Sequence, residues 1–207
     1  MNLILLSNLT ENLDQRLEAK INQMVSKNGA RLGYIPSQFD AEKYYYKRMK
    51  PNLDRIGFNE YIYFDIDKAY DTDDIERLMK CDAIYLSGGN TFYFLSNLRK
   101  RGLIPFIKEF VRNDRMLIGV SAGAMVMSPT VKVAGIIDPN DIQLEKLDSF
   151  DIVPFHFLPH YSEGLHRKNI EAFTRDHRLP LYCCKDESGI VVKDDQIEFY
   201  GEITTFK

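Results

Sequence analysis

Residues 117–124 read Leu117-Ile118-Gly119-Val120-Ser121-Ala122-Gly123-Ala124, and this stretch decides the fold. An apolar run that is typical of a buried strand meets a serine flanked by small residues, where a sharp turn into a helix is predicted. A side chain at such a turn projects from the carboxyl edge of a parallel sheet. The stretch therefore predicts an α/β protein in which Ser121 is displayed at the edge of the sheet.

Upstream of this turn, short apolar segments alternate with helical patterns. Five strands are predicted, at residues 3–6, 33–36, 61–64, 83–86 and 116–120. Helices are predicted at residues 13–24, 41–49, 71–80, 91–101 and 104–113. Because strands that alternate with helices form parallel sheets, their carboxyl ends are expected to meet at one edge.

Downstream of residue 129 the pattern changes. Extended segments are predicted at residues 131–137, 152–156, 181–184, 190–193 and 197–200, with one helix at 164–176. The junction Lys193-Asp194-Asp195-Gln196 fits a hairpin turn. We therefore expect a mostly parallel central sheet with an antiparallel C-terminal edge.

Composition bounds the class of protein. The 207 residues are 44% hydrophobic and 28% charged, which predicts one globular domain over residues 1–207. A net charge of -3 provides no basic surface for nucleic acid. The apolar run at residues 3–6 is too short for a membrane span or a signal peptide, so a cytoplasmic protein without a membrane partner is expected.

The three cysteines are predicted to be reduced thiols, and two of them, Cys183 and Cys184, are sequence neighbours that do not pair easily. Cysteine and histidine are not spaced as in metal sites. The sequence therefore predicts neither a metal nor another cofactor.

Ser121 has the position of a nucleophile, and the free amide of Ala122 is the natural donor to an oxyanion. Gly88 and Gly89 end the preceding parallel strand, so their amides are expected at the same edge and could supply a second donor. The alternative for Ser121 is a structural or phosphate-binding turn chosen for its backbone shape. The alternative for the glycine pair is an ordinary turn.

A serine nucleophile needs a base, and the chain has four histidines. His160 is favoured because Pro159 ends the preceding strand and leaves the histidine at a strand-to-loop transition. His156 falls inside a predicted strand, whereas His166 and His177 lie in or beside a polar helix. Glu187 follows an apolar strand and could orient the imidazole, although it could equally be a solvated turn residue.

These segments together resemble the peptidase E (aspartyl dipeptidase) family over nearly the whole chain. The matching segments are Leu5-Leu6-Ser7-Asn8, Gly88-Gly89-Asn90-Thr91-Phe92, residues 119–124 and Pro159-His160. The resemblance implies a three-layer α/β/α sandwich related to class I glutamine amidotransferases. It also implies a Ser121-His160-Glu187 triad and hydrolysis of small peptides that begin with aspartate.

The sequence departs from the family pattern in two places. Residues 131–137 lack the acidic residue associated with that region, so Asp138 is the nearest alternative partner for His160. After His160, where the family carries an arginine that grips an acidic substrate, the chain offers His166, Arg167 and Lys168. Arg167 is the predicted specificity residue, and the alternative is an ordinary exposed charge in the first turn of the helix at residues 164–176.

The sequence therefore predicts a serine peptidase that acts on short peptides through an acyl-enzyme, as a monomer or a homodimer. Asn90, next to the glycine pair, is also predicted to bind substrate. One alternative is a cyanophycinase-like or other amide or ester hydrolase of the same fold. A second alternative is a non-catalytic module that binds an anion at the Ser121 turn.

Overall fold

The computed structural model describes residues 1–25 and 29–207 and contains a central sheet of seven strands in the order β3-β2-β4-β5-β1-β8-β9. The first five strands are parallel, and β8 and β9 complete one edge in antiparallel register. These strands are β1 (Asn2–Leu6), β2 (Ala30–Ile35), β3 (Phe58–Tyr63), β4 (Ala83–Leu86), β5 (Met116–Val120), β8 (Gly189–Lys193) and β9 (Gln196–Tyr200).

Helices cover both faces of this sheet and make three layers. The helices are α1 (Gln15–Met24), α2 (Tyr44–Arg55), α3 (Thr72–Met79), α4 (Thr91–Lys100), α5 (Leu103–Arg112), α6 (Ala122–Met125) and α7 (Arg167–Asp176). The residues of β1 point alternately to the two helical layers. Leu3 and Leu5 pack in one hydrophobic cluster with α3, α4 and α5, whereas Ile4 and Leu6 pack in a second cluster with α1 and α2. This alternation follows from the two-residue period of a strand.

A second sheet of three strands has the order β10-β7-β6. It consists of β6 (His156–Leu158), β7 (Leu181–Cys184) and β10 (Ile203–Phe206). Leu181 and Phe157 belong to the same buried cluster as one face of the central sheet. The small sheet therefore packs onto the central sheet through a shared core, which brings the residues that follow β6 and β7 toward the carboxyl end of β1.

The predicted fold class is confirmed: the chain is a three-layer α/β/α sandwich with a mostly parallel sheet and an antiparallel C-terminal edge. Asp194 and Asp195, in the predicted hairpin turn, both have positive φ angles (50° and 64°). This is the backbone that a two-residue hairpin loop requires.

Two local predictions differ from the structure, and one strand was not predicted. Residues 131–137 do not form a strand, because Thr130 makes only an isolated bridge and a 3₁₀ helix follows at Lys132–Ile136. The strand predicted at 152–156 begins at its last residue, His156, two positions after Pro154, which cannot donate to a ladder. Strand β10 was not predicted, because it is short and carries no fully buried residue to reveal it.

Within residues 1–25 and 29–207, no helix is long and apolar enough to span a membrane.

Candidate active site

Ser121 lies between β5 and α6 in a backbone conformation that few residues adopt. Its φ and ψ angles are 52° and -112°, and a residue with a side chain is strained there by roughly 1–3 kcal/mol. The Ser121 amide donates to the Leu6 carbonyl at 2.9 Å, and the Ser121 carbonyl accepts from the amides of Ala124 and Met125. The end of β1 and the first turn of α6 thus hold the strained residue in place.

Two glycines explain why this turn can pack so tightly against β4. A Cβ on Gly119 would fall 2.3 Å from the Gly123 carbonyl oxygen, and a Cβ on Gly123 would fall 2.1 Å from the Leu86 carbonyl oxygen. Gly123 also donates its amide to the Ser87 carbonyl at 3.1 Å. Because α6 is a single turn of four residues, its dipole is small, and individual amides rather than the helix favour an anion here.

His160 lies beside Ser121, with 3.0 Å between its Nε2 and the Ser121 Oγ. It follows β6 and Pro159 directly, and its φ angle of 56° turns the chain out of the strand. The other histidines lie elsewhere: His156 is buried in the core, His166 precedes α7, and His177 contacts the Phe173 carbonyl oxygen. Of the four histidines, the sequence-based choice is the one that the structure brings to the serine.

Asp186, rather than the predicted Glu187, is the acid in contact with His160. The Asp186 Oδ1 lies 2.6 Å from the His160 Nδ1. Glu187 has a φ angle of 70° and an exposed side chain, and its backbone carbonyl accepts from the Asp14 amide at 3.0 Å. Both acids belong to the turn between β7 and β8. The conformation of that turn decides which carboxylate faces the imidazole, and the sequence pattern does not specify it.

The alternative acid, Asp138, is also engaged elsewhere. Its Oδ2 accepts hydrogen bonds from the Thr91 amide at 2.9 Å and from the Thr91 hydroxyl at 2.6 Å. Asp138 therefore fixes the start of α4, and the structure brings Asp186 to the histidine in its place.

Ser7 connects these groups and was missed in the sequence, where it reads as an ordinary turn residue. It is fully buried at the end of β1, and its Oγ accepts a hydrogen bond from the His160 amide at 2.7 Å. The same Oγ lies 3.2 Å from both the Cys184 carbonyl oxygen and the Asp186 Oδ1, so its proton can be donated to either. The sequence signal that could have identified Ser7 is its place as a polar residue directly after an apolar strand.

The residues predicted to hold an oxyanion lie around the serine. A Cβ on Gly88 would be 3.6 Å from the Ser121 Cβ, and Gly89 has a φ angle of 135° that favours glycine. The amides of Gly88, Gly89 and Ala122 have no hydrogen-bond acceptor within the described residues.

A cavity of about 640 Å³ opens onto Ser121 and His160. Its walls come from the carboxyl ends of β1, β2, β4 and β5 and from the segment that leads into α2. Tyr34 and Tyr85 line it on the sheet side, and burial raises the pKa of both phenols. These hydroxyls stay neutral, so they can donate hydrogen bonds without adding charge.

The two predicted substrate residues do not line this cavity. Asn90 caps α4, with its Oδ1 accepting from the amides of Phe92 and Tyr93 and its Nδ2 donating to the Pro139 carbonyl. Arg167 begins α7, is exposed, and pairs with Glu171 at 2.8 Å. The geometry does not support the substrate contacts predicted for either side chain, because Asn90 is engaged within the chain and Arg167 faces a different depression.

The cysteines are poor nucleophiles in this environment. All three are buried and unpaired. Burial raises the pKa of Cys183 to about 12 and that of Cys81 to about 11, and it raises the pKa of Cys184 well above its ordinary value. The thiols therefore stay protonated near neutral pH, where a thiol is a weak nucleophile.

The chain matches the model of peptidase family S51 over residues 3–200. It is 29% identical to the uncharacterized peptidase Lin0382 of Listeria innocua serovar 6a over 177 residues, which cover 82% of this chain and 83% of the relative. It is 27% identical to peptidase E of Streptomyces coelicolor over 217 residues, covering 98% of this chain and 85% of the relative.

Solved structures agree with the fold. A candidate peptidase E protein from Listeria monocytogenes EGD-e superposes with a TM-score of 0.79 at 24% identity, covering 96% of both chains. A peptidase from an acI-B1 Actinobacterium superposes with a TM-score of 0.69 at 20% identity, covering 99% of this chain and 96% of that chain. At these identities the structural similarity bears on the fold alone.

Proposed function

The chain belongs to peptidase family S51, and from this membership we propose that it hydrolyses short peptides through an acyl-enzyme formed on Ser121. The observation that carries the proposal is the continuous contact from the Ser121 Oγ to the His160 Nε2, at 3.0 Å, and from the His160 Nδ1 to the Asp186 Oδ1, at 2.6 Å. This is the order of contacts that activates a serine hydroxyl.

In the first half of the reaction, the Ser121 Oγ attacks the peptide carbonyl carbon while its proton moves to the His160 Nε2. The short contact to Asp186 favours the tautomer with hydrogen on Nδ1, which leaves the Nε2 lone pair free to accept that proton. The Asp186 carboxylate then stabilises the imidazolium that forms. The carbon–nitrogen bond breaks when the imidazolium donates its proton to the departing amine.

In the second half, water replaces the amine. His160 removes a proton from the water as its oxygen attacks the ester carbon, and returns the proton to the Ser121 Oγ when the acid leaves. Each tetrahedral intermediate carries a negative oxygen. The amides of Gly88, Gly89 and Ala122 are its proposed donors, and each well-placed donor of this kind accounts for roughly a 100-fold increase in rate.

The proposed substrates are short peptides, including dipeptides with N-terminal aspartate, as the resemblance to peptidase E implies. A cavity of about 640 Å³ lies in the range of sites that enclose small ligands. It suits a dipeptide better than a segment of a folded protein, because such a segment would need an open groove.

The proposal is tested by incubating the protein with a dipeptide library and measuring the amino acids released. Ser121→Ala should fold normally, because alanine is isosteric apart from the hydroxyl, and should release almost none. Ser162→Ala is the matched control, since Ser162 is an exposed serine two residues after His160 that does not line the cavity. Reaction of Ser121 with a fluorophosphonate, detected by mass spectrometry, provides a readout independent of substrate.

Two results would overturn the proposal. Turnover by Ser121→Ala at the wild-type rate would show that Ser121 is not the nucleophile. A wild-type protein that neither reacts with the fluorophosphonate nor cleaves any library member would indicate a binding module. Reaction with the fluorophosphonate together with cleavage of other amides or esters alone would favour the related hydrolases instead.

A further inference from the structure

One face of α2 forms a wall of the cavity that contains Ser121. Tyr45, Arg48, Met49 and Asn52 all line it, and their spacing of three, four and seven residues places them on the same side of a helix. Arg48 is the only lysine or arginine among the described residues that line this cavity. The helix thus brings a single fixed positive charge to the site.

Among the described residues, Arg48 has no carboxylate as an ion-pair partner. Asp40 is the one acidic residue lining the described cavity, and its two carboxylate oxygens accept the amides of Tyr45 and Tyr46 at 3.0 and 3.1 Å. Asp40 therefore caps the start of α2 and is not a partner for the arginine.

The guanidinium is held by an aromatic neighbour. Its Nη1 donates to the Tyr44 hydroxyl at 2.8 Å, and its Cζ lies 5.5 Å from the centre of the Tyr44 ring. These contacts use one of the five N–H groups and restrict the side chain. The remaining donors keep the forked geometry that matches two carboxylate oxygens.

We propose that Arg48 is a specificity residue that binds a carboxylate of the peptide, an inference that rests on the proposed function. The chemistry recognised is a carboxylate group, which in a short peptide comes from an acidic side chain or from the C-terminus. Arg48 takes the role predicted for Arg167, which does not line the cavity. Its contact is formed with bound peptide and does not take part in proton transfer.

The test measures binding without turnover. Calorimetry gives the dissociation constants of Asp-Leu, Asn-Leu, Asp-Leu-amide and Asn-Leu-amide for Ser121→Ala, alone and combined with Arg48→Gln, Arg48→Lys or Lys47→Gln. Lys47→Gln is the matched control, because Lys47 is an exposed cation of the same helix that does not line the cavity. It removes the same unit of charge from the protein as Arg48→Gln.

Arg48→Gln should weaken binding of Asp-Leu by about 10-fold, because a charge-assisted contact is lost, and should leave Asn-Leu-amide unchanged. The dissociation constant of Asp-Leu for Arg48→Lys should lie between those for wild-type Arg48 and Arg48→Gln, since lysine keeps the positive charge but lacks the forked donor geometry of arginine. If the loss persists with Asp-Leu-amide, the side-chain carboxylate is the ligand. If the loss of affinity persists with Asn-Leu, the C-terminal carboxylate is the ligand.

Several outcomes would overturn the inference. Arg48→Gln could weaken the binding of all four peptides equally, or Lys47→Gln could weaken binding as much as Arg48→Gln does. The affinity could also stay unchanged for every peptide and variant, or no peptide with a carboxylate could bind at all. None of these measurements depends on catalysis. A protein that binds carboxylates through Arg48 but cleaves no peptide would contradict the proposed function while leaving the carboxylate site in place.

Discussion

His156 should make the folded protein sensitive to mild acid. His156 is 2% exposed, its Nδ1 has no hydrogen-bond partner among the described residues, and its ring packs against Phe173 and His177. Burial, reinforced by the nearby His177 and Lys132, lowers the pKa of His156 from 6.5 to about 4. The imidazole is therefore neutral in the folded protein at pH values where it would be protonated in the unfolded chain.

The sign and size of the effect follow from this pKa difference. Because the unfolded chain binds the proton more tightly, stability is fully present above about pH 6.5 and falls as the pH drops toward 4. Between pH 8 and pH 5 the group should cost about 2 kcal/mol, since each pKa unit corresponds to about 1.4 kcal/mol. For a chain of 207 residues, that is a fall of about 5 °C in Tm.

The assay is urea unfolding of wild type and His156→Leu at pH 8 and pH 5. Leucine fills a similar volume without an ionisable group, so the wild type should lose about 2 kcal/mol more than the variant between the two pH values. His166→Asn is the control, because that histidine is exposed and asparagine tolerates its positive φ angle. Equal losses in wild type and His156→Leu would refute the reasoning.

Three further predictions concern the site itself. Asp186→Asn should lower kcat by at least about 100-fold because the imidazole loses its orienting carboxylate, whereas Glu187→Gln should stay within about threefold; the reverse order would restore the sequence-based assignment. Ser7→Ala should lower kcat by about 10-fold with little change in KM, because the His160 amide and Asp186 lose a shared partner; an unchanged pH–rate profile and kcat would exclude this role. Gly123→Ala should destabilise the fold by about 3 kcal/mol in thermal or urea unfolding, because its Cβ would meet the Leu86 carbonyl, whereas Gly135→Ala, with open space around its Cα, should be neutral.

The inner strands of the central sheet could be predicted because they are buried on both faces. Segments such as 83–86 and 116–120 are continuous apolar runs bounded by polar residues, and both match β4 and β5 residue for residue. The strands β7, β8 and β9 were also predicted to within one residue. Residues 129–155 were harder to predict. There, the interactions are irregular, as in the Phe150 amide donating to the Val126 carbonyl, and no periodic pattern encodes them.

The site divides in the same way. Ser121 directly follows β5, and His160 follows β6 after a single proline. A local sequence pattern is therefore enough to locate both residues. The acid that contacts His160 depends on the turn between β7 and β8, and Arg48 enters the cavity from a helix far from either motif in sequence. Such placements depend on how distant segments pack, which one sequence does not specify.

The end of β1 is where these separate elements are joined. Ser121 and His160 both have positive φ angles (52° and 56°) that are unfavourable for residues with side chains. Two adjacent residues hold them: the Ser121 amide donates to the Leu6 carbonyl, and the His160 amide donates to the Ser7 hydroxyl. Strain that is fixed so specifically is expected where geometry serves a reaction. Replacing Ser7 with alanine should therefore disturb the contact between serine and histidine, although the Ser7 side chain takes no part in the proposed proton transfers.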